Sequence, residues 1–185
     1  MSERSRSGIQ RWRVPLGFLA VAIYLVLARP TVRLIALGVP VSLAGLAIRA
    51  WASGHLRKNT TLAVSGPYAF TRNPLYFGSM LMLVGLLISG GNPWLALGLL
   101  AVFLLVYYPV MKNESVHMQD LFRNDYQHWA SEVPLFIPRI SPWRAVPLER
   151  FELDLYLKHR EYRALIGMTT LYAALALKTL WNVFN

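Results

Sequence analysis

The chain has no cysteine among its 185 residues, so its fold uses no disulfide and no thiolate metal site, and its redox compartment cannot be read. Charge is scarce too. Asp, Glu, Lys and Arg make up 15 % of the chain, well below the roughly 25 % usual in soluble domains. From position 73 through position 111 there are 39 consecutive residues with none of them. A bilayer core takes about 20 apolar residues per helix, so this run fits two spans and their turn. The chain also lacks a G-x-G-x-x-G loop and a Walker loop, which leaves a soluble Rossmann-type nucleotide site unsupported. Of the four histidines, His55, His117, His128 and His159, none stands at metal-ligand spacing with a second ligand. Glu114 with His117 is a formally possible pair, and no metal is expected.

What is abundant is apolar and basic. Hydrophobic residues account for 55 %, and the net charge is +10. A basic chain invites a nucleic-acid reading, but here the charges flank apolar spans, the arrangement that the positive-inside rule describes. A nucleic-acid partner is therefore not expected. At this length the chain reads as a single domain, 1–185, all α-helical, with five spans: 14–28, 34–50, about 74–89, about 94–111 and about 164–184. No small-residue cleavage site follows the first, only Arg29-Pro30, so it reads as a retained helix and not a signal peptide. With the N-terminus inside, 16 of the 19 basic residues fall on the cytoplasmic side, leaving Arg29, Arg33 and Lys178 outside. Both long loops, about 51–73 and 112–163, then share the cytoplasmic face.

Within the second loop, Val116, Leu121, Phe122, Tyr126 and Trp129 recur at roughly amphipathic spacing, predicting a helix over 112–129 that continues span four. Val133-Pro134 ends it, and Pro138, Pro142 and Pro147 keep the next stretch extended or turning. Residues 151–162 read as a charged interfacial helix.

Two places carry candidate chemistry. The loop 60–78 packs Gly66-Pro67-Tyr68, Arg72-Asn73-Pro74 and Tyr76 into eleven residues at the mouth of span three. Pro74 in a first helical turn leaves nearby backbone N–H groups available, and a helix N-terminus suits an anion such as a carboxylate. Tyr68 and Tyr76 offer ring faces, and Arg72 a fork of donors. An interfacial aromatic belt is the alternative reading of the same residues. The second place is Glu114, just past the far end of span four, where a carboxylate opposes the helix dipole and gains nothing from it. A solvated interfacial charge is the alternative there.

Together these residues resemble the isoprenylcysteine carboxyl methyltransferase and phospholipid methyltransferase superfamily. Its first motif, a Gly-x-Tyr followed by Arg-His-Pro-x-Tyr-x-Gly, stands here as Gly66-Pro67-Tyr68 and Arg72-Asn73-Pro74-Leu75-Tyr76-Phe77-Gly78. Its second, a Glu-Glu pair ahead of Phe-Gly-x-x-Tyr and a Pro-rich exit, stands as Glu114-Ser115, Phe122-Arg123-Asn124-Asp125-Tyr126 and Val133-Pro134 through Pro138-Arg139. The resemblance covers about residues 45–140. Asn73 replaces a His, Arg123 a Gly, and Ser115 the second Glu. A family Arg that meets a prenylcysteine carboxylate falls on Val110, with Lys112 nearby as a stand-in.

The resemblance implies S-adenosyl-L-methionine as cofactor, held by Thr60, Thr61, Leu62, Ala63, Tyr68, Asn73, Pro74, Leu75, Tyr76 and Glu114. It implies a lipophilic acceptor reached through the bilayer. The helix start suits the cofactor carboxylate, Glu114 its ammonium, and aromatic or apolar walls its adenine. Methyl transfer is an in-line displacement that needs alignment above all, so Arg72 is the one candidate for a direct catalytic role. The rival readings are an NADPH-dependent membrane reductase of the related sterol reductase architecture and a non-catalytic protein with a degenerate site.

Overall fold

The computed structural model describes residues 17, 19–57, 60–144 and 149–184. These form helices α1 (19–27), α2 (Val32–Ser53), α3 (Pro74–Gly90), α4 (Pro93–Glu132), α5 (Leu153–Lys158) and α6 (Tyr162–Phe184), with a 3-10 turn at Gly66–Ala69 between α2 and α3. Among the described residues there is no strand. The all-helical expectation therefore holds.

Three stretches are long and apolar enough to cross a membrane: Val32–Ser53, the apolar part of Pro93–Glu132, and Tyr162–Asn182. The expected five are not reached among the described residues. Helix α3 is apolar but has 17 residues, and at about 1.5 Å per residue it falls short of a roughly 30 Å hydrocarbon core. The expected first span is described as helix over 19–27, with positions 14–16 and 18 outside the described residues. Pro147 lies outside them as well.

Each helix begins where its sequence allows. Thr31 caps α2 by accepting from the Leu34 N–H at 3.3 Å. Asn92 caps α4 through the Leu95 N–H at 3.1 Å, one residue ahead of Pro93. Between α3 and α4, Gly91 takes a left-handed φ of 62° that closes the turn.

Small residues set the packing. Gly38, Ser42 and Gly45 of α2 face Gly78, Met82, Gly85 and Ser89 of α3 so closely that a Cβ on Gly45 would lie 2.5 Å from the Gly78 carbonyl oxygen. Close backbone approach of this kind is how helices associate where no hydrophobic force separates them from lipid. Helix α6 joins through hydroxyls, with Tyr172 Oη 2.8 Å from Ser42 Oγ and 3.4 Å from Ser89 Oγ. At the end away from the long loops, Lys178 Nζ donates to the carbonyls of Leu25 and Val26 at 2.6 and 2.8 Å, capping the end of α1.

Helix α4 does continue past its apolar part, as its periodicity predicts, and ends at Val133. It is not straight. Arg123 interrupts it with φ 44° and ψ −114°, a backbone conformation that favours glycine. This is the position where the resembling family carries Gly. The chain bends here at a residue strained in that conformation, at roughly 1–3 kcal/mol for a non-Gly residue held there. Restoring glycine recovers that strain less about 0.5–1 kcal/mol of backbone entropy, so Arg123→Gly is expected to raise the melting temperature of detergent-purified protein. A lowered melting temperature would show that the Arg side chain holds the bend.

The expected helix over 151–162 is shorter than its pattern suggested. It forms only over Leu153–Lys158, because Arg160 takes φ 56° and breaks the chain direction before α6 begins.

Candidate functional site

At the end of the bundle that carries the long loops lies a cavity of about 350 Å³, within the range of small-molecule sites. Its walls come from α2, the loop before α3, the first turns of α3, and α4 on both sides of the Arg123 bend.

The loop 60–73 is held in place by the Pro-rich stretch after α4. The Arg72 N–H donates to the Pro134 carbonyl at 2.9 Å, the Arg139 N–H to Phe70 at 2.9 Å and the Trp143 N–H to Ala69 at 2.8 Å. Thr71 Oγ1 adds a bond to the Phe136 carbonyl at 2.8 Å. The two sequence motifs, some sixty residues apart, are thus laced backbone to backbone. Asn73 belongs to this lacing: its amide donates to the Leu135 carbonyl at 2.8 Å and makes no side-chain cap on α3. Gly66 takes φ 58°, and a Cβ there would press on the buried His55 ring. Glycine is therefore required at that turn.

Of the residues assigned by resemblance, Thr61, Leu62, Ala63, Tyr68, Asn73, Pro74, Leu75, Tyr76 and Glu114 all line this one cavity, as does Arg72. Thr60 does not; it is exposed, with its hydroxyl donating to the Arg57 carbonyl at 3.0 Å. Glu114 is an exposed side chain on the wall formed by α4. Tyr68 is buried. Burial first, then the nearby charges of Glu114 and Glu161, hold its phenol well above the ordinary tyrosine range against the opposing pull of Arg49. The Tyr68 hydroxyl is accordingly a protonated donor at neutral pH. Tyr76 packs on Tyr107 with centroids 5.4 Å apart.

Sequence reasoning missed a group supplied by other helices. Arg49 of α2 enters the cavity and pairs with Glu161, Nε to Oε2 at 3.0 Å and Nη2 to Oε1 at 2.8 Å. Its Nη1 donates to the Leu75 carbonyl at 3.2 Å and to Ser79 Oγ at 2.5 Å, fixing the first turns of α3. Gly78, the last residue of the first motif, makes this possible: a Cβ there would lie 2.7 Å from Arg49 Cγ. Lys112, the sequence's stand-in cation, instead lies over the Tyr108 ring at 5.2 Å and lines no part of the cavity. Tyr107, Met118, Tyr126 and Trp129 complete the walls. Among the described residues, no three His, Asp or Glu side chains come together as a metal would need.

A helical bundle with apolar spans and one cavity at its loop-bearing end defines a class, and the comparison with known proteins places the chain within it. Over residues 12–125 it matches the phospholipid methyltransferase family, and it belongs to that family. It is a membrane protein of a methyltransferase family. It is similar to the cobalt-zinc-cadmium resistance protein CzcN of Cupriavidus metallidurans, 33 % identical over 110 residues that cover 58 % of this chain and 49 % of that one. It is also similar to the nickel-cobalt-cadmium resistance protein NccN of Alcaligenes xylosoxydans xylosoxydans, 32 % identical over 111 residues, 59 % of this chain and 50 % of that one. The chain spans about half the length of these relatives. No solved structure matches it.

Proposed function

We propose that this protein transfers a methyl group from S-adenosylmethionine to a lipid-like acceptor at the cytoplasmic face of a membrane. The observation that carries the proposal is the convergence of Leu62, Ala63, Tyr68, Asn73, Tyr76 and Glu114, separated by up to 52 positions, on one cavity. When bound, the cofactor supplies a methyl group on a sulfonium, which an acceptor takes by in-line displacement while the sulfur keeps the bonding pair.

The lining residues suit that cofactor in charge and shape. Leu62, Ala63 and Met118 give an apolar wall for a flat purine. Glu114 gives an anion for an ammonium, and the Tyr68 hydroxyl a fixed donor. The Tyr76–Tyr107 pair adds an aromatic wall against which a lipophilic acceptor would rest. The residues act by orientation and by exclusion of water. Alignment of this kind is worth roughly 7–11 kcal/mol of a displacement barrier.

Calorimetry separates this reading from a nicotinamide-dependent one: S-adenosylhomocysteine is expected to bind the purified protein and NADPH not to. Binding of NADPH alone would overturn the assignment. The orientation has its own test, because the chain offers no native thiol. Single cysteines at Ser7 and Ser141 should resist impermeant reagents in intact cells while one at Asn92 reacts. Labelling of Ser141 from outside would put the cavity on the wrong side for a cofactor made in the cytoplasm.

A further inference from the structure

Resting on the reading that the cavity holds S-adenosylmethionine, we propose that Arg72 and Trp129 form a carboxylate clamp for the amino-acid end of that cofactor. Among the described residues, Arg72 Nε and Trp129 Nε1 are the two buried side-chain polar atoms without a hydrogen-bond partner. Both belong to residues that line the cavity. An orphaned buried N–H forfeits the hydrogen bonds it made to water, and one such loss calls for an explanation. Two on one cavity share one.

The donors are held from different parts of the chain. Trp129, six residues beyond the Arg123 bend, is 3 % exposed and packs edge-on against Tyr126 at 5.6 Å. Arg72 sits in the laced loop and donates through Nη1 to Tyr126 Oη at 3.3 Å, which leaves Nε for another acceptor. Neither an indole N–H nor a guanidinium can accept a hydrogen bond. The group they take is therefore an acceptor, and the guanidinium makes a negative one preferred.

Charge decides which anion. Four charged side chains line the cavity: Arg49, Arg57, Arg72 and Glu114. Arg49 is paired with Glu161 and Arg57 with Glu152. Among the described residues neither Arg72 nor Glu114 has an ion-pair partner, so one positive and one negative charge remain for a ligand. That is the complement of a zwitterion, an ammonium and a carboxylate carried on one carbon. A phosphate dianion would leave Glu114 opposed to it.

The same donors could instead serve a carboxylate on the acceptor, and the experiment distinguishes the two. Calorimetry compares S-adenosylhomocysteine with S-adenosyl-3-thiopropylamine, which keeps the ammonium and lacks the carboxylate. Wild-type protein is expected to prefer the former by roughly 10- to 150-fold, the equivalent of a charge-assisted hydrogen bond. Trp129→Phe and Arg72→Met should each shrink that preference and leave the affinity for the decarboxylated analogue nearly unchanged. Equal binding of both ligands by the wild type, or equal losses on both in the variants, overturns the clamp. So does a variant that binds both ligands as the wild type does and shows only a raised KM for the acceptor, which would move the donors to the acceptor's anion. Failure of the wild type to bind either ligand overturns the methyltransferase reading itself.

Discussion

Replacing Glu114 by Gln is expected to weaken S-adenosylhomocysteine binding by roughly 10- to 150-fold while leaving the fold intact. The carboxylate is exposed on the cavity wall in the structure, and among the described residues it has no ion-pair partner, so its charge is available to a ligand ammonium. A charge-assisted hydrogen bond is worth about 1.5–3 kcal/mol, and about 1.4 kcal/mol corresponds to each decade of affinity. Stability should hardly change, since an exposed carboxylate within α4 supports no packing. Ser115→Ala supplies the contrast. Ser115 Oγ already donates to the Met111 carbonyl at 3.0 Å within its own helix, so its loss should move affinity far less. Unchanged affinity in the Gln variant, with monodisperse protein, would return Glu114 to the solvated charges of the interface.

The second large effect belongs to Arg49. Its side chain and that of Glu161 are 22 % and 12 % exposed, nearer the buried regime than the surface one. Removing one partner of a buried pair costs about 3–5 kcal/mol, whereas an exposed pair is worth under about 1 kcal/mol. Arg49→Met is expected near 3 kcal/mol, read as a fall in melting temperature in detergent, because it strands Glu161 and also frees the Leu75 carbonyl and Ser79. The double variant Arg49→Met/Glu161→Met should recover part of that loss, since it no longer leaves a carboxylate unpaired. A single variant costing less than about 1 kcal/mol would place the pair among ordinary surface contacts.

How much of this was legible before the coordinates follows from the range of each interaction. Local patterns read true: the helical continuation of α4, and the motif's register, which brings positions 61–76 beside Glu114. Those depend on neighbours a few positions apart, or on a motif that keeps them in register. Arg49 could not be read, because its role comes from the crossing of α2 over α3 and from the approach of α6, neither of which leaves a local trace. Only Gly78, a small residue where Arg49 must pass, hinted at it. Trp129 read as one apolar position of an amphipathic helix, and its place in the cavity wall follows a bend of α4 at Arg123 that no local pattern announced. The departure of that residue from the family Gly was visible; its backbone angle was not. Residues 151–162 had a helical composition, yet the left-handed turn at Arg160 cut the helix to six residues. The number of spans did not follow from apolar composition, because α3 is apolar throughout and still about one turn short.

The bond from Lys178 to the carbonyls of Leu25 and Val26 closes the bundle across 153 and 152 positions of sequence. Ribosomes add roughly 5–20 residues per second, so about 8–30 s of synthesis separate the two ends of this contact. Throughout that interval the end of α1 must rely on water, headgroups or the insertion machinery for carbonyls that a bilayer interior cannot solvate. Helix α6 is thus the one that completes α1. A chain arrested before residue 178 would carry the lining of the cavity but leave the end of α1 without these donors on the opposite side, the kind of defect by which membrane quality control can tell a partial product from a finished one.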